Sequence, residues 1–587
     1  MVRSLLTWRG NASSAARLSS NLVSPSTKTS TLRVRSKRYR STPSQSSQLI
    51  SNPDASAGDL LEELESRGLL QQVTSRSLRY HLRTPAKKLD SDQQHLNPEE
   101  QGREELFIQR TVYAGVDPSA RSLHVGNLLP LMGLLHFARY GHRGLALIGG
   151  ATGSIGDPSG RSTERSALSH DELNQNVDSI TTQLRQFFQK AEEYVARRRG
   201  GSWTSVAGSE SQGQEERNLG ERLTKGGVLD VRLVNNLDWT KGLGVLEFLS
   251  EVGRHARVTT MLSRDSVKSR MPSLKDEEGK EDSKEGLSFT EFSYQLLQAY
   301  DFSVLHRGDW KCSIQLGGSD QMGNIMAGID LIRRQRAAAS GGSAEGEEVE
   351  VEGISGEDGK ATKLKTYKDP AFGITMPLLT TSTGAKFGKS AGNAIWISDE
   401  LLSDYDFYQF FLRSKDDEVE RYLKSLTLLP LAEVERIMRS HNDRPYQRFA
   451  QRMLAEEVTE LVRGKEALER AETVSKVIFG KERLENLTKE KVVDALRNDP
   501  KRLILIDSTK EFLGVEVTKF MVTHGMVPSR AEARRMVKAG GVYINNVQVK
   551  YVKPPSERPL VKADLTKQGF SVFRLGKTDH KVVVIRS

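Results

Sequence analysis

Three groups of residues have types and spacings that suit chemistry on a phosphorylated substrate. The first is Leu123-His124-Val125-Gly126-Asn127, placed directly before the apolar run LLPLMGLLHFAR. A histidine and a glycine where a strand passes into a helix suit a phosphate. The glycine lets a nucleotide approach the backbone, the helix N-terminus favours an anion, and the imidazole donates a hydrogen bond. The second group is Lys386-Phe387-Gly388-Lys389-Ser390, two lysines around a glycine. Their charges can follow a leaving pyrophosphate as negative charge builds on it. The third group would select an organic substrate. In SFTEFSYQLLQAYDF, Tyr294, Gln298 and Asp301 fall at i, i+4 and i+7, so a helix aligns three polar groups on one face. Asp157, in GGATGSIGDPSG, adds a carboxylate on a loop after a strand end, where α/β proteins bind ligands. QLGGSDQ, from Gln315 to Gln321, adds polar groups beside a glycine pair. Taken singly, each group has a plainer explanation: a helix cap, a solvated lysine loop, an amphipathic surface face.

These residues need a frame. From about 105 to 195, apolar strand-like runs alternate with glycine-rich turns and helical runs, which predicts a parallel α/β sheet. A chain of 587 residues has room for three or more domains. The α/β region runs over 105–397, a helical and charged region over 398–510, and a small basic α/β unit over 511–587. An N-terminal helical extension covers 53–104: Leu60, Leu61, Leu64, Leu69 and Leu70 have helical spacing, and Gly68 interrupts it. Two stretches read as insertions forming partly disordered surface loops, one near 199–226 and one near 334–366.

The net charge of +10 is unevenly spread: residues 1–52 and residues 515–587 each carry +9, which leaves the body acidic. Residues 1–52 contain arginine and serine, no acid and only small apolar islands, the composition of a mitochondrial transit peptide. With one cysteine, Cys312, there is no intrachain disulfide and no all-cysteine metal site. No apolar run reaches the roughly 18 residues of a membrane-spanning helix, so no membrane is expected among the partners. At the basic C-terminal end, SRAEARRMVKAG predicts a helix capped by Ser529, with Arg530, Arg534, Arg535 and Lys538 near one face as RNA-phosphate contacts. GGVYINNVQV then predicts a hairpin turning at Asn-Asn.

HVGN and KFGKS, early and late across one α/β sheet, resemble the HIGH and KMSKS signatures of class I aminoacyl-tRNA synthetases. The blocks YAGVDPSARSLHVGN, GGATGSIGDPSGR, NNLDW, FLSEVGRHARV, FSYQLLQAYDF, QLGGSDQMGN and KFGKS are similar to bacterial and mitochondrial tyrosyl-tRNA synthetases, in that family's order over about 105–400. The resemblance implies a Rossmann-type catalytic domain, an α-helical anticodon-binding domain and an S4-like RNA-binding domain. It implies that Tyr113 and Asp301 bind the substrate phenol, that Asp157, Tyr294 and Gln298 hold its ammonium group, and that Gln315 helps to position it. It places His124, Gly126, Asn127, Asp117, Ser119, Gly318, Asp320 and Gln321 on ATP. Lys386, Lys389 and Ser390 would grip the pyrophosphate, with Arg161 and Arg165 closing over it. Two residues depart from the family pattern: Asn127 replaces the second histidine of HIGH, and Arg161 stands where lysine is common.

The implied reaction is tyrosine activation by ATP with magnesium, then transfer to tRNA(Tyr), in the mitochondrial matrix. No tightly bound cofactor and no protein-built metal site are expected. The implied assembly is a homodimer, with FLSEVGRHARVTTML at or near the interface. The nearest neighbouring reading, a tryptophanyl enzyme, is opposed by Asp301 with Tyr113 and by the basic C-terminal unit. Some fungal mitochondrial relatives also promote group I intron splicing, through an N-terminal helix and catalytic-domain insertions. An added role on group I intron RNA is therefore expected, with basic residues such as Arg197–Arg199, Arg333, Arg334 and Arg336 on the intron-binding surface. On that view, residues 55–75 can be removed without loss of aminoacylation. The alternative is an RNA-binding splicing protein on a synthetase scaffold without aminoacylation; the intact set of motifs opposes it.

Overall fold

The computed structural model describes residues 59–83, 109–159, 168–198, 220–268, 287–341, 348–355, 360–367, 369–380, 394–479, 484–552 and 557–586. The transit-peptide reading of 1–52, Arg161, Arg165, Lys386, Lys389 and Ser390 all lie outside these residues.

The first nine strands are β1 (Gln72–Val73), β2 (Thr111–Val116), β3 (Arg143–Ile148), β4 (Glu221–Arg222), β5 (Val231–Asn235), β6 (Cys312–Gly318), β7 (Glu348–Ser355), β8 (Lys360–Tyr367) and β9 (Phe372–Met376). Seven of them make one sheet in the order β1-β9-β6-β2-β3-β5-β4. The five inner strands are parallel, and antiparallel β1 and β4 close the two edges. Runs such as GLALI in β3 and FGITM in β9 are buried throughout, as befits strands covered on both faces. From β2 the chain winds outward through β3 and β5 on one side, and through β6 and β9 on the other. The winding thus reverses between β2 and β6, at the crevice where sheets of this kind bind ligands.

The helix Leu128–Arg139 is apolar all round because almost all of it is buried. It sits so close to the sheet that a Cβ on Gly133 would lie 2.2 Å from the Met376 side chain.

The N-terminal segment is built into this core rather than appended to it. Leu60, Leu61, Leu64 and Leu69 are buried in the same cluster as the helix Leu128–Arg139, and β1 pairs with β9. Arg67 is 1 % exposed and donates to the carbonyls of Lys424, Thr427 and Leu429 at 3.0, 3.2 and 2.7 Å.

The two insertion readings also change. β4 lies within 199–226 and pairs with β5, so the end of that stretch is a sheet edge. In 334–366, the helix Met322–Ser340 runs on to Ser340, and β7 and β8 form an antiparallel hairpin. Low complexity hid its period-two alternation, EVEVE on one strand and KATKLK on the other. The register sets Glu350 opposite Lys365 and Glu352 opposite Lys363.

Helices from Asp404 to Ala495 follow, as expected. The C-terminal sheet then takes β10 (Leu503–Ile506), β11 (Val542–Ile544), β12 (Val547–Gln548), β13 (Phe570–Leu575) and β14 (Asp579–Ile585), in the order β10-β14-β13-β11-β12. It begins before the expected boundary at 511, because LILI pairs in parallel with β14. One face packs on the helices Val517–Thr523 and Arg530–Lys538, and the other on Val474, Val477, Ile478, Val492 and Leu496. Asn545 and Asn546 turn the β11–β12 hairpin at φ 48° and 68°, the two left-handed positions that a tight hairpin needs.

Candidate active site

The reversal of winding makes Tyr113 on β2 and Gln315 on β6 register partners, and both are buried. The Tyr113 hydroxyl and Gln315 Oε1 have no hydrogen-bond partner among the described residues. An unpaired buried polar group costs on the order of 1–3 kcal/mol, so two of them at a strand-end crevice mark a place for a polar ligand.

Asp301 comes to the same place from the helix Phe289–Arg307, which starts at a Ser288 cap. Its carboxylate accepts from Trp239 Nε1 at 2.8 Å and from Asn236 Nδ2 at 3.0 Å. Burial pushes its pKa up to about 7, and the two donated hydrogen bonds hold it from rising further. Asn236 also donates to Thr152, Thr152 to Asp117 Oδ1, and the Tyr294 hydroxyl to Asp117 Oδ2 at 2.7 Å. The helix face expected to carry Tyr294 and Asp301 is therefore closed into a ring with β2 and the turn after β3. The turn has to be glycine: a Cβ at Gly149 would lie 2.2 Å from Asp117 Oδ1, and one at Gly150 2.3 Å from Asn235 Oδ1.

A second polar cluster adjoins the first. Asp157 accepts from Gln321 Nε2 at 2.6 Å, from Asn324 Nδ2 at 3.3 Å and from the Ser159 backbone at 2.9 Å. Gln298 donates to Gln321 at 3.2 Å and accepts from Asn324 at 3.1 Å. Gly318 precedes the short turn Ser319–Gln321, so Asp320 and Gln321 stand just past the end of β6. Asp117 and Ser119 follow the end of β2, but Asp117 is tied to Tyr294 and Thr152, on the substrate-helix side rather than in the histidine turn.

His124 leads into the turn Val125–Asn127, which contains Gly126, and the Asn127 side chain accepts from the His124 backbone at 3.0 Å. The segment 395–397 brackets this turn: Val125 N donates to Ile395 O and Ile397 N to Leu123 O, each at 2.8 Å. The Trp396 ring centroid lies 6.2 Å from that of His124. Burial lowers the His124 pKa, so the imidazole is neutral near pH 7, and its Nδ1 is buried without a partner among the described residues.

Four residues of the network were not singled out from the sequence: Thr152, Asn236, Trp239 and Asn324. The NNLDW block carried the signal for Asn236 and Trp239, since a buried asparagine after a strand end needs polar partners.

Residues 109–480 match the family described as tRNA synthetases class I (W and Y), and residues 508–583 match the Tyrosine--tRNA ligase SYY-like C-terminal domain. The chain is 37 % identical over 475 residues to the mitochondrial tyrosine--tRNA ligase of Drosophila melanogaster, covering 81 % of this chain and 87 % of that protein. It belongs to the tyrosine--tRNA ligases. The tyrosine--tRNA ligase of Listeria innocua is 35 % identical, over 81 % of this chain and 92 % of its own. Among solved structures, a C-terminally truncated Aspergillus nidulans mitochondrial tyrosyl-tRNA synthetase matches with TM-score 0.53 and 30 % identity, over 72 % of this chain and 94 % of that one. As a tyrosine--tRNA ligase, the protein is an aminoacyl-tRNA synthetase with ATP as a substrate.

In the ligase's C-terminal domain, the basic helix Arg530–Lys538 forms with Ser529 as its cap. Its charges are largely paired. Arg530 meets Glu516 and Glu557, Arg534 meets Glu557, and Arg535 meets Glu532, while Lys538 is exposed.

Proposed function

We propose that this enzyme makes tyrosyl-adenylate and passes tyrosine to tRNA(Tyr) in the mitochondrial matrix, acting as a homodimer. The observation that carries the site assignment is the pair of unpartnered buried groups, Tyr113 Oη and Gln315 Oε1, beside a carboxylate fixed by Asn236 and Trp239. The substrate phenol donates to Asp301 and meets Tyr113. Phenylalanine would leave the Tyr113 hydroxyl buried and unpaired and give Asp301 no phenol donor, which is the basis of discrimination. Asp157, Tyr294 and Gln298 hold the ammonium group, and Gln315 orients the substrate. The tyrosine carboxylate attacks the α-phosphorus of ATP, and pyrophosphate leaves with the bonding electron pair. No protein nucleophile enters, so catalysis is positioning and charge stabilisation.

His124, Gly126, Asn127, Ser119, Gly318, Asp320 and Gln321 are assigned to ATP. Asp117 is assigned through its bonds to Thr152 and Tyr294. Lys386, Lys389, Ser390, Arg161 and Arg165 are assigned to the pyrophosphate. Magnesium is taken to arrive bound to ATP, and no tightly held cofactor is assigned. Among the described residues no three His, Cys, Asp or Glu side chains cluster as a metal cage.

Arg530, Arg534, Arg535 and Lys538 are assigned to tRNA. The dimer reading rests on exposed Val245, Leu246, Leu249 and Val258, apolar residues on and beside FLSEVGRHARVTTML. Of the arginines expected on an intron-binding surface, Arg197, Arg198 and Arg333 are paired with Glu460, Glu457 and Asp369, so an added role on group I intron RNA rests on Arg334 and Arg336 among the described residues.

The test is amino-acid-dependent exchange of pyrophosphate into ATP with tyrosine, phenylalanine and tryptophan. Exchange with tyrosine alone supports the assignment; equal exchange with phenylalanine removes it.

A further inference from the structure

Arg463 ends the helix Phe449–Arg463, and its side chain is 4 % exposed. Its guanidinium is spent on one short stretch of backbone. Nε donates to the carbonyl of Ile397 at 3.1 Å, and Nη2 donates to those of Trp396 and Ser398 at 3.1 and 3.2 Å. Nη1 donates to Asp404 Oδ1 at 2.9 Å, and the group lies over the Phe407 ring at 4.2 Å.

The other edge of that stretch is bonded to the histidine turn. Ile397 N donates to Leu123 O at 2.8 Å, Ser398 N to Ser122 Oγ at 3.1 Å, and Trp396 pairs with His124. One strip of backbone, 396–398, is therefore held by Arg463 on one side and by the HVGN segment on the other. It also follows KFGKS in the chain by six residues.

Charge pairing alone does not account for this arrangement. Asp404 is also bound by Arg470, at 2.8 Å, and among the described residues Arg470 makes no bond to the three carbonyls. Only a planar guanidinium can serve three consecutive carbonyls and a carboxylate together. A lysine ammonium keeps the charge but offers one point in place of the fork.

We propose that Arg463 is a positioning residue for ATP. By fixing 396–398, it fixes where the His124 turn stands, so ATP use depends on how the helical region is seated. The tyrosine pocket is built from other elements, β2, β6 and the helix Phe289–Arg307, and is independent of this strip. The inference rests on the reading that His124 contacts ATP.

The test measures KM for ATP and for tyrosine, with kcat, by pyrophosphate exchange in the full chain. Four variants are compared: Arg463→Lys, Arg470→Gln, Ser122→Ala and His124→Asn. Displacement of a catalytic group by about 1 Å costs on the order of 10²-fold. Arg463→Lys is therefore expected to raise KM for ATP by roughly 10- to 100-fold, with KM for tyrosine within about twofold. Arg470→Gln should move neither. Ser122→Ala cuts the same strip from the motif side and should raise KM for ATP selectively; it decides the matter should Arg463→Lys not fold. Equal changes in both KM values, no change, or the same effect from Arg470→Gln would overturn the relay. If His124→Asn leaves ATP use unchanged, the ATP reading fails and the relay fails with it. If His124→Asn impairs ATP use while Arg463→Lys and Ser122→Ala do not, only the relay fails.

Discussion

Tyr294 donates its hydroxyl to Asp117 at 2.7 Å, and that bond ties the substrate helix to the end of β2. With Thr152 and Asn236 it places two carboxylates, half-buried Asp117 and buried Asp301, in one hydrogen-bonded network. Each donor in the network belongs to a different stretch of chain, so the pocket is set by the sheet and not by any one motif. Asp117 also raises the Asp301 pKa, a smaller effect than burial.

That environment makes tyrosine binding depend on pH. Asp301 in the free enzyme titrates at about 7, and the ionised form accepts the phenol proton. Tyrosine affinity should therefore fall as pH drops through about 7, and Asp301→Asn should weaken binding and flatten the profile. Stability runs the other way. The unfolded chain releases this proton near pH 4, whereas the folded chain holds it to about 7. This group's contribution to stability thus declines between those values and is level above them. Calorimetric titration with tyrosine from pH 5.5 to 8.5 checks the binding claim. A flat wild-type profile would sink it.

Arg67 supports a second prediction. Its three carbonyl acceptors lie at 424–429, so it links the N-terminal segment to the helices beyond the catalytic sheet. Arg67→Met should cost about 3 kcal/mol, since it leaves buried carbonyls without donors. A lowered thermal midpoint, with KM for tyrosine unchanged in the folded fraction, is the expected result. Deletion of 55–75 should yield no stable enzyme, against the expectation of a removable helix, because Leu60, Leu61, Leu64 and Leu69 lie in the main core. A deletion variant that melts like the intact chain would refute this.

The exposed patch around Leu246 gives a third. Leu246 is 83 % exposed and Val245 76 %, surface that a second copy would cover. Leu246→Asp should halve the mass seen by sedimentation while leaving the fold intact by circular dichroism. An unchanged mass would remove this patch from the interface.

Much of this was legible because the chemistry sits where periodicity changes. The i, i+4, i+7 stripe gave Tyr294, Gln298 and Asp301 their shared face, and GGATGSIGDPSG marked a glycine-rich loop after a strand end. What was missed depends on contacts between distant segments. Nothing local says that Asn236 reaches Asp301, 65 residues on, or that Arg67 reaches Leu429, 362 residues on. The β7–β8 hairpin was missed for a different reason. Its alternation is carried by charged residues, so composition masked the period. The net charge of 515–587 counts Glu516, Glu532 and Glu557 but does not show that they fold against Arg530, Arg534 and Arg535.

Glu557 is the chief of those carboxylates. It is half-buried and binds Arg530, Arg534 and Thr518, and the donated hydrogen bonds from Thr518 and Arg534 outweigh the burial that would raise its pKa. It therefore stays ionised near neutrality and cancels charge that would otherwise face an RNA phosphate. Glu557→Gln keeps the shape and removes the negative charge, so tRNA affinity should rise severalfold. The plot of log affinity against log salt should steepen by about one phosphate contact's worth. Filter binding of tRNA at several salt concentrations measures both. Weaker binding with an unchanged slope would mean that Glu557 holds the arginines in their RNA-binding pose. In that case the basic helix would act through its fixed shape rather than through its free charge.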